Sequence, residues 1–220
     1  MKEFVTKAWK TDQGLIAHQL VDENGIGKPA RRYVAVYCGI SWPSADSPAY
    51  YCLLGEEFCG HKDGGIIRGK VRLLAESESE GISLDSFFAR ATDDICHFRC
   101  DSTFAAVDEK KYIDFTTAYY DFCSDRQIHL GRMEQAPFEK EFLVGVALIG
   151  DWHRSGRLEI PTDSIIHRQL KQIGMHDLGE RPEERFFAIN AFRFALGAFH
   201  KNKPNPGRRR RSRRRNARVI

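Results

Sequence analysis

The stretch YVAVYCGI, from Tyr33 to Ile40, decides the fold, because an apolar run of β-branched and aromatic residues is typical of a buried strand. A turn, WPSADSP from Trp42 to Pro48, separates it from a second apolar and aromatic run, Ala49 to Phe58. A glycine-rich turn then precedes a third strand, about Ile66 to Ala75. Because the connections are short, these three strands are predicted to form an antiparallel meander.

The rest of the chain alternates helices with short extended pieces. Apolar residues from Leu84 to Ile95 recur at helical spacing behind Ser83, a favoured N-cap residue. The elements predicted after this helix are a strand at about Cys96 to Cys100, a helix at Glu109 to Cys123, a strand at Ile128 to Leu130, and helices at Phe138 to Arg154, Asp163 to Gln172 and Glu183 to Phe199. This order predicts an α/β fold in which a mixed sheet, three antiparallel strands plus parallel ones, is flanked by helices.

The composition points to a protein without a membrane span. The N-terminal residues are polar, and no apolar run approaches the about 20 residues that a transmembrane helix needs. The six cysteines lack the dense spacing of a disulfide-stapled secreted domain. We therefore expect reduced thiols and a cytoplasmic location.

The charge of the chain is divided between its two parts. The last twenty residues hold ten Lys and Arg and no acid, so the formal net charge of +4 becomes −6 for residues 1 to 200. Such a block is predicted to be disordered and to bind a polyanion, because arginine matches phosphate with its forked donors. The alternative is a solubilising tail with no partner. The predicted nucleic-acid contacts are Arg208, Arg209, Arg210, Arg211, Arg213, Arg214 and Arg215.

Two stretches in the second half resemble the nuclease domain of phage terminase large subunits, which has a ribonuclease H-like fold. They are Phe142 to Ile173, which contains the extended piece GRLEIP, and the helix start PEERFFAI at Pro182 to Ile189. The resemblance covers about Tyr33 to Phe199. It divides the chain into an N-terminal arm at 1–32, a nuclease-type domain at 33–200 and an Arg-rich tail at 201–220.

The resemblance implies a site where carboxylates hold two divalent metal ions, Mg²⁺ or Mn²⁺, which prefer oxygen ligands. In the family one acid lies on the first strand, one after the fourth strand and one at the last helix. Asp101 matches the second position, and Glu184, with its neighbour Glu183, matches the third. Cys38 stands at the first, a degenerate acidic position, and Asp46 in the following turn is a candidate to substitute for it.

Each of these residues also has a purely structural interpretation. Asp101 and Asp46 are common turn residues, and Glu183 and Glu184 suit the first turn of a helix. Cys38 is typical of a small buried side chain, since a thiolate is a poor ligand for hard cations.

Three functions remain open from the sequence. The first is a terminase-type, metal-dependent DNA endonuclease of phage DNA packaging or processing, with weak or no activity because one carboxylate is missing. The second is a non-catalytic nucleic-acid-binding or packaging adaptor protein that uses the basic tail. The third is an adaptor whose tail contacts another polyanion such as RNA. The resemblance implies DNA as a partner, together with other packaging proteins or a separate ATPase, in a bacterial host cell.

Overall fold

The computed structural model describes residues 5–21, 27, 30–45, 47–106, 132–137, 141–173 and 182–201, together with 113–114, 116–117, 120–121 and 124. In chain order these residues form the strands β1 (Val5–Lys10), β2 (Ile16–Val21), β3 (Arg31–Ser41), β4 (Tyr50–Lys62), β5 (Gly65–Glu78), β6 (Ser102–Ala105), β7 (Arg132–Gln135) and β8 (Leu158–Glu159). The helices are α1 (Leu84–His97), α2 (Phe142–Arg154), α3 (Ile165–Ile173), α4 (Pro182–Arg185) and α5 (Phe187–Lys201).

The sheet is centred on β3. On one side β3, β4 and β5 form an antiparallel meander, and on the other side β6 and β7 lie parallel to β3. The strand order β5-β4-β3-β6-β7 with these directions is that of the ribonuclease H-like fold. The predicted fold class, an α/β mixed sheet with three antiparallel strands plus parallel ones, is confirmed.

Two additions extend this sheet at its margins. β1 and β2 form a hairpin that pairs antiparallel with the start of β3, where Ile16 faces Tyr33. β8 pairs parallel with β5 at the opposite margin. The segment predicted as an N-terminal arm therefore contributes two strands to the sheet.

Helices cover both faces of the sheet. On one face, Phe87, Ala91 and Ile95 of α1 pack against Cys38 and other buried residues of β3 and β4. The N-cap prediction at Ser83 is confirmed, since its side chain accepts a hydrogen bond from the Ser86 amide. On the other face α2 and α3 pack around α5, in which every residue from Ala188 to Phe199 is buried.

The predicted strand at Cys96 to Cys100 is wrong. These residues belong to the last turn of α1 and to the loop after it, where Arg99 adopts a φ of 55°. The strand starts later, at Ser102, because the helical spacing of apolar residues that packs α1 on the sheet continues to the end of the helix. Cys100 is buried in the core, but it belongs to the loop.

The other predicted elements differ in smaller ways. The last helix is divided into α4 and α5. The predicted helix at 109–123 and the strand at 128–130 lie largely outside the described residues. No helix in the described ranges has the length and apolar character required to cross a membrane.

The closest approach between α5 and the sheet occurs at Gly39. A Cβ atom added there would overlap the backbone carbonyl of Ala191, which cannot move without shifting the helix. We expect Gly39→Ala to lower the free energy of unfolding by about 3 kcal/mol or more, as overpacking of a core does. Urea denaturation followed by circular dichroism measures this change.

Gly65→Ala is the matched control, because a Cβ there meets only the Lys62 carbonyl at 3.4 Å. Its free energy of unfolding is expected to stay within about 1 kcal/mol of the parent protein. Equal destabilisation by the two substitutions would contradict the role assigned to Gly39.

Candidate functional site

The end of β3 and the start of α5 meet at one edge of the sheet, which we call the C-terminal edge. The Asn190 side chain of α5 donates a hydrogen bond to the Ser41 hydroxyl at 3.3 Å, and Ser41 is the last residue of β3. The rings of Tyr50, at the start of β4, and Phe187 have centroids 5.8 Å apart. Because β6 is parallel to β3, it ends at this edge as well.

Glu183 and Glu184 come directly before α5 in the chain. They belong to the short helix α4, where Glu183 is exposed and Glu184 is half-buried. The turn between β3 and β4 borders the C-terminal edge, and Ser44 and Ser47 close it with a backbone hydrogen bond of 3.0 Å. Asp46, predicted as an auxiliary ligand, belongs to this turn but lies outside the described residues.

Asp101 does not lie at this edge. It precedes β6 instead of following it, so its assignment to the position after the fourth strand of the core is wrong. Its carboxylate accepts a hydrogen bond of 2.9 Å from the Val36 amide, and its own amide donates to the Val36 carbonyl at 2.8 Å. Val36 is five residues before Ser41, which separates Asp101 from the C-terminal edge by about 17 Å along β3.

The contact with Val36 explains why an acid is present at position 101. β3 pairs with β2 up to Tyr33 and with β6 from Tyr37, so Val36 lies in a gap between two neighbours on the same side. Asp101 bonds both backbone groups of Val36 in that gap. Burial raises the pKa of the Asp101 carboxyl above its ordinary value, and the hydrogen bond from Val36 opposes part of this shift.

Cys38 does not face the C-terminal edge either. Its side chain is fully buried on the α1 face of the sheet, and burial raises the pKa of its thiol well above the ordinary value. The neighbouring Gly39 faces α5, because successive residues of a strand alternate between faces. An acid at position 38 would therefore point away from Glu184, and the interpretation of Cys38 as the degenerate acidic position is not supported.

In the second half of β3, the residues on the α5 side are Tyr37, Gly39 and Ser41. The Tyr37 ring packs against Phe104 and Phe199, with centroids 5.5 and 4.5 Å away. Gly39 is in contact with the backbone of α5, and Ser41 is bonded to Asn190. A metal-binding acid of this strand would need one of these three positions. They are instead occupied by an aromatic ring, a glycine in contact with a helix backbone, and a neutral hydroxyl.

A buried polar cluster continues from Ser41 into α5. Asn190 accepts a hydrogen bond of 2.8 Å from Arg193 Nε, and the Arg193 guanidinium lies over the rings of Phe142 and Phe194, at 5.3 and 4.5 Å. Arg193 is only 1% exposed. This cluster was not predicted from the sequence, although two polar residues three positions apart within an apolar stretch of the helix were a visible signal.

The position of β6 also identifies acids that the sequence analysis did not select. Asp108 and Glu109 follow Ala105, the last residue of β6, by three and four positions in the sequence. They lie outside the described residues. By sequence order they, and not Asp101, follow the fourth strand of the core; the misplaced strand at 96–100 concealed this.

The described residues do not fit a two-metal centre. Among them, no group of three or more His, Cys, Asp and Glu side chains is arranged to hold a metal ion. At the C-terminal edge Glu78 of β5 is the register partner of Tyr50, and the Glu76 carboxylate accepts hydrogen bonds from the Tyr50 hydroxyl and the Ile165 amide, so that it is already engaged within the fold. A site that binds both attacking and leaving oxygens requires ligands from several elements.

Comparisons with known proteins return structures only. No protein-family model matches the chain, and no curated protein matches its sequence. The large terminase of a thermophilic bacteriophage is similar with 10% identity and a TM-score of 0.48, over 80% of this chain and 41% of the terminase. The chain therefore spans about two fifths of the length of that terminase.

Two viral proteins are similar at comparable identity. The nuclease domain of human cytomegalovirus terminase, soaked with manganese, has 10% identity and a TM-score of 0.39, over 73% of this chain and 80% of that domain. The Holliday junction resolvase of fowlpox virus has 12% identity and a TM-score of 0.37, over 76% of this chain and 98% of the resolvase. The class of this chain, ribonuclease H-like, follows from its own strand order.

The role of Asp101 is tested by two substitutions. Asp101→Asn retains an oxygen that accepts from the Val36 amide, whereas Asp101→Ala leaves that amide without its partner, at a cost of about 1 to 3 kcal/mol. Because the pKa of Asp101 is raised on folding, the folded state holds its proton more tightly than the unfolded state. This contribution to stability is present below pH 3.8, the ordinary pKa of an aspartate, and it is lost as the pH rises through the pKa of Asp101 in the folded state.

We therefore expect the free energy of unfolding of Asp101→Asn to increase relative to that of the parent protein as the pH rises above 3.8. Urea denaturation of the three proteins at a series of pH values measures both effects. Equal stability of the Asn and Ala variants at every pH would show that the bond to Val36 contributes nothing.

Proposed function

We propose that this chain is a nucleic-acid-binding protein of the ribonuclease H-like class that serves phage DNA packaging or processing without cleaving DNA itself. The observation that carries this proposal is the packing of β3 at the C-terminal edge. Tyr37, Gly39 and Ser41 are engaged with aromatic rings, the α5 backbone and Asn190, so the central strand offers no carboxylate and no space for one on that side.

Energetics argue against two-metal cleavage at this edge. Electrostatic stabilisation supplies most of the rate in two-metal cleavage, and loss of one ligand charge commonly reduces the rate by about a hundredfold or more. At Gly39 a carboxylate cannot be restored by a single substitution, because even a Cβ overlaps Ala191. The inner side of β3 is therefore part of the folded core among the described residues.

The basic tail supports DNA as the partner. Seven arginines between Arg208 and Arg215 form a dense cationic block on a chain whose first 200 residues are net acidic. Such a block binds phosphates by counterion release and is nearly independent of base sequence. The sequence resemblance to terminases adds the context of phage DNA in the cytoplasm of a bacterial host, with packaging proteins or a separate ATPase as further partners.

The tail is tested by replacing its seven arginines with serine in the full-length chain. Binding of a fluorescent duplex is measured by anisotropy over a range of salt concentrations. Seven phosphate contacts would give a slope of about −6 in the plot of log affinity against log salt, since each contributes about −0.9. We expect the serine variant to lose most of this slope and about a hundredfold or more in affinity at low salt.

A variant with lysine in place of the same arginines is the matched control. It preserves the charge and is expected to preserve the salt slope. Duplex binding that is unchanged in the serine variant would refute the role of the tail. A parent protein that binds RNA in preference to DNA would favour the adaptor for another polyanion.

A second candidate function is a terminase-type endonuclease that uses Mg²⁺ or Mn²⁺. The position of Glu183 and Glu184 in the short helix before α5 favours it, together with the sequence positions of Asp46 and of Asp108. In this candidate Glu184 would hold metal with Glu183 as its neighbour. Acids from the two segments outside the described residues would complete the site.

Plasmid cleavage separates the two candidates. We expect supercoiled plasmid to stay intact with the parent protein in Mn²⁺ or Mg²⁺, because β3 supplies no ligand. Glu184→Gln tests any cleavage that is seen, and Glu141→Gln, an exposed glutamate at the start of α2, is its control. Nicking that Glu184→Gln abolishes and Glu141→Gln preserves would overturn the non-catalytic proposal.

A further inference from the structure

A row of side chains crosses the sheet near the N-terminal end of β3. Trp9 of β1 is paired with Ala17 of β2, and Ala17 is paired with Arg32 of β3. Arg32 lies over the ring of Phe58 in β4, and Phe58 is paired with Arg68 of β5. Because paired residues share a face of the sheet, these side chains form one line across five strands, which we call the β1–β5 row.

The β1–β5 row lies on the α5 side of the sheet. Ile16 and Tyr33 are paired with each other and pack in the core under α1, so their neighbours Ala17 and Arg32 face the other side. Arg32 is exposed there, and Trp9 is 40% exposed. The helices of the α5 side therefore leave this end of the sheet accessible.

Lys7 and Arg32 give this face accessible positive charge. Lys7 is exposed and shares the face with Trp9, because residues two positions apart on a strand point to the same side. The Arg32 guanidinium lies 5.7 Å from the centre of the Phe58 ring, a cation–π contact that holds it on the face while its N–H donors stay available. The spacing of the strands places the Cα atoms of Lys7 and Arg32 about 12 Å apart.

The acid of β4 on this face does not cancel that charge. Glu56, two positions before Phe58, is only 2% exposed. It is paired with Arg68 and, at 3.4 Å, with Arg157. Two guanidinium groups therefore share one carboxylate within the fold, and the β1–β5 row stays positive.

Trp9 adds an apolar surface between the cations. It is the accessible tryptophan of the chain, since the other two, Trp42 and Trp152, are 9% and 5% exposed. An exposed indole offers a flat apolar surface and one N–H donor. Both suit the backbone of a nucleic acid, in which apolar sugar carbons alternate with phosphate oxygens.

The end of α5 points towards this row. Asn190, near the start of α5, is bonded to Ser41 at the end of β3. Phe199, near the end of α5, packs on Tyr37, which comes earlier in β3. The helix therefore runs antiparallel to β3 and ends on the side of Arg32.

The basic tail starts from this end of α5. Arg208, the first arginine of the block, follows the helix end at Lys201 by seven residues. Seven residues of extended chain span at most about 25 Å. The tail arginines and the cations of the β1–β5 row can therefore contact the same polyanion.

We propose that duplex DNA lies across the β1–β5 row, with phosphates at Lys7 and Arg32 and the sugar–phosphate backbone against Trp9. The spacing of the two cations is close to the width of the major groove, about 12 Å, across which two phosphate backbones face each other. This proposal rests on the duplex binding proposed above. The tail supplies most of the charge, and the row sets where the duplex lies on the folded domain.

Acrylamide quenching of tryptophan fluorescence tests the contact with Trp9. In the free protein Trp9 is expected to account for most of the quenching, because the other two tryptophans are buried. Saturation with duplex DNA is expected to lower the quenching constant of the parent protein towards that of Trp9→Phe, whose own constant stays unchanged. Quenching of the parent protein that is the same with and without bound duplex would overturn the proposal.

Charge reversal tests the two cations. In the full-length chain, Lys7→Glu/Arg32→Glu is expected to weaken duplex binding at low salt about tenfold or more and to reduce the salt slope by about 2, since each phosphate contact contributes about −0.9. Fluorescence anisotropy of a labelled duplex measures both effects.

Arg90→Glu/Lys171→Glu is the matched control, because it reverses two exposed residues, on α1 and α3, and changes the net charge equally. It is expected to keep the salt slope of the parent protein and to bind within about twofold of it. Equal losses in the two double variants would overturn the proposal. Circular dichroism checks that both fold, and the quenching of the parent protein decides the matter if either does not.

These measurements separate the surface from duplex binding itself. If the parent protein binds duplex while Trp9 stays equally quenched and both double variants bind equally well, the row is refuted and binding by the tail stands. A parent protein that binds no duplex would refute both proposals. An unpaired strand that protects Trp9 where a bound duplex does not would overturn the assignment of duplex DNA to this surface.

Discussion

The contact between α5 and the central strand constrains the rest of this molecule. Gly39 lies so close to the Ala191 carbonyl that helix and strand share one layer of packing without a side chain between them. Because α5 is buried from Ala188 to Phe199, the other helices of this face must surround it, and its first turn is held at the end of β3. The same close approach that stabilises the core leaves no room for a charged group on the inner side of β3.

β3 therefore has two ends with different chemistry. Its C-terminal end is closed by Ser41, Asn190 and the buried Arg193, a cluster in which the polar groups bond to each other. At its N-terminal end Arg31 is exposed, whereas Tyr33 is buried. The resemblance to terminase nucleases implies that acids converge at the first of these ends, and in this chain the inner side of β3 is closed there.

The sequence predicted the meander, the helices on both faces and the N-cap at Ser83, because these depend on local periodicity and turn residues. The predicted position of β6 was wrong. A strand of four residues is too short to show a clear alternation, and the apolar residues at the end of α1 were taken for the strand. That error moved Asp101 to the wrong end of a strand. Alternate residues of β3 face opposite sides of the sheet. Which of the two sets faces α5, and therefore where Cys38 points, follows from tertiary packing and cannot be predicted from the strand alone.

The bond between Asp101 and Val36 divides β3 into two separately partnered segments. The hairpin of β1 and β2 is attached to β3 through three residue pairs, and the parallel strands β6 and β7 begin beyond the gap. Opening of the hairpin would break the first set of pairs and expose Leu15, Ile16 and Ala17, which are buried, whereas the second set of pairs would stay intact. His18 packs against Tyr33 of the sheet and against Phe98 after α1, so the hairpin joins the end of that helix to the margin of the sheet.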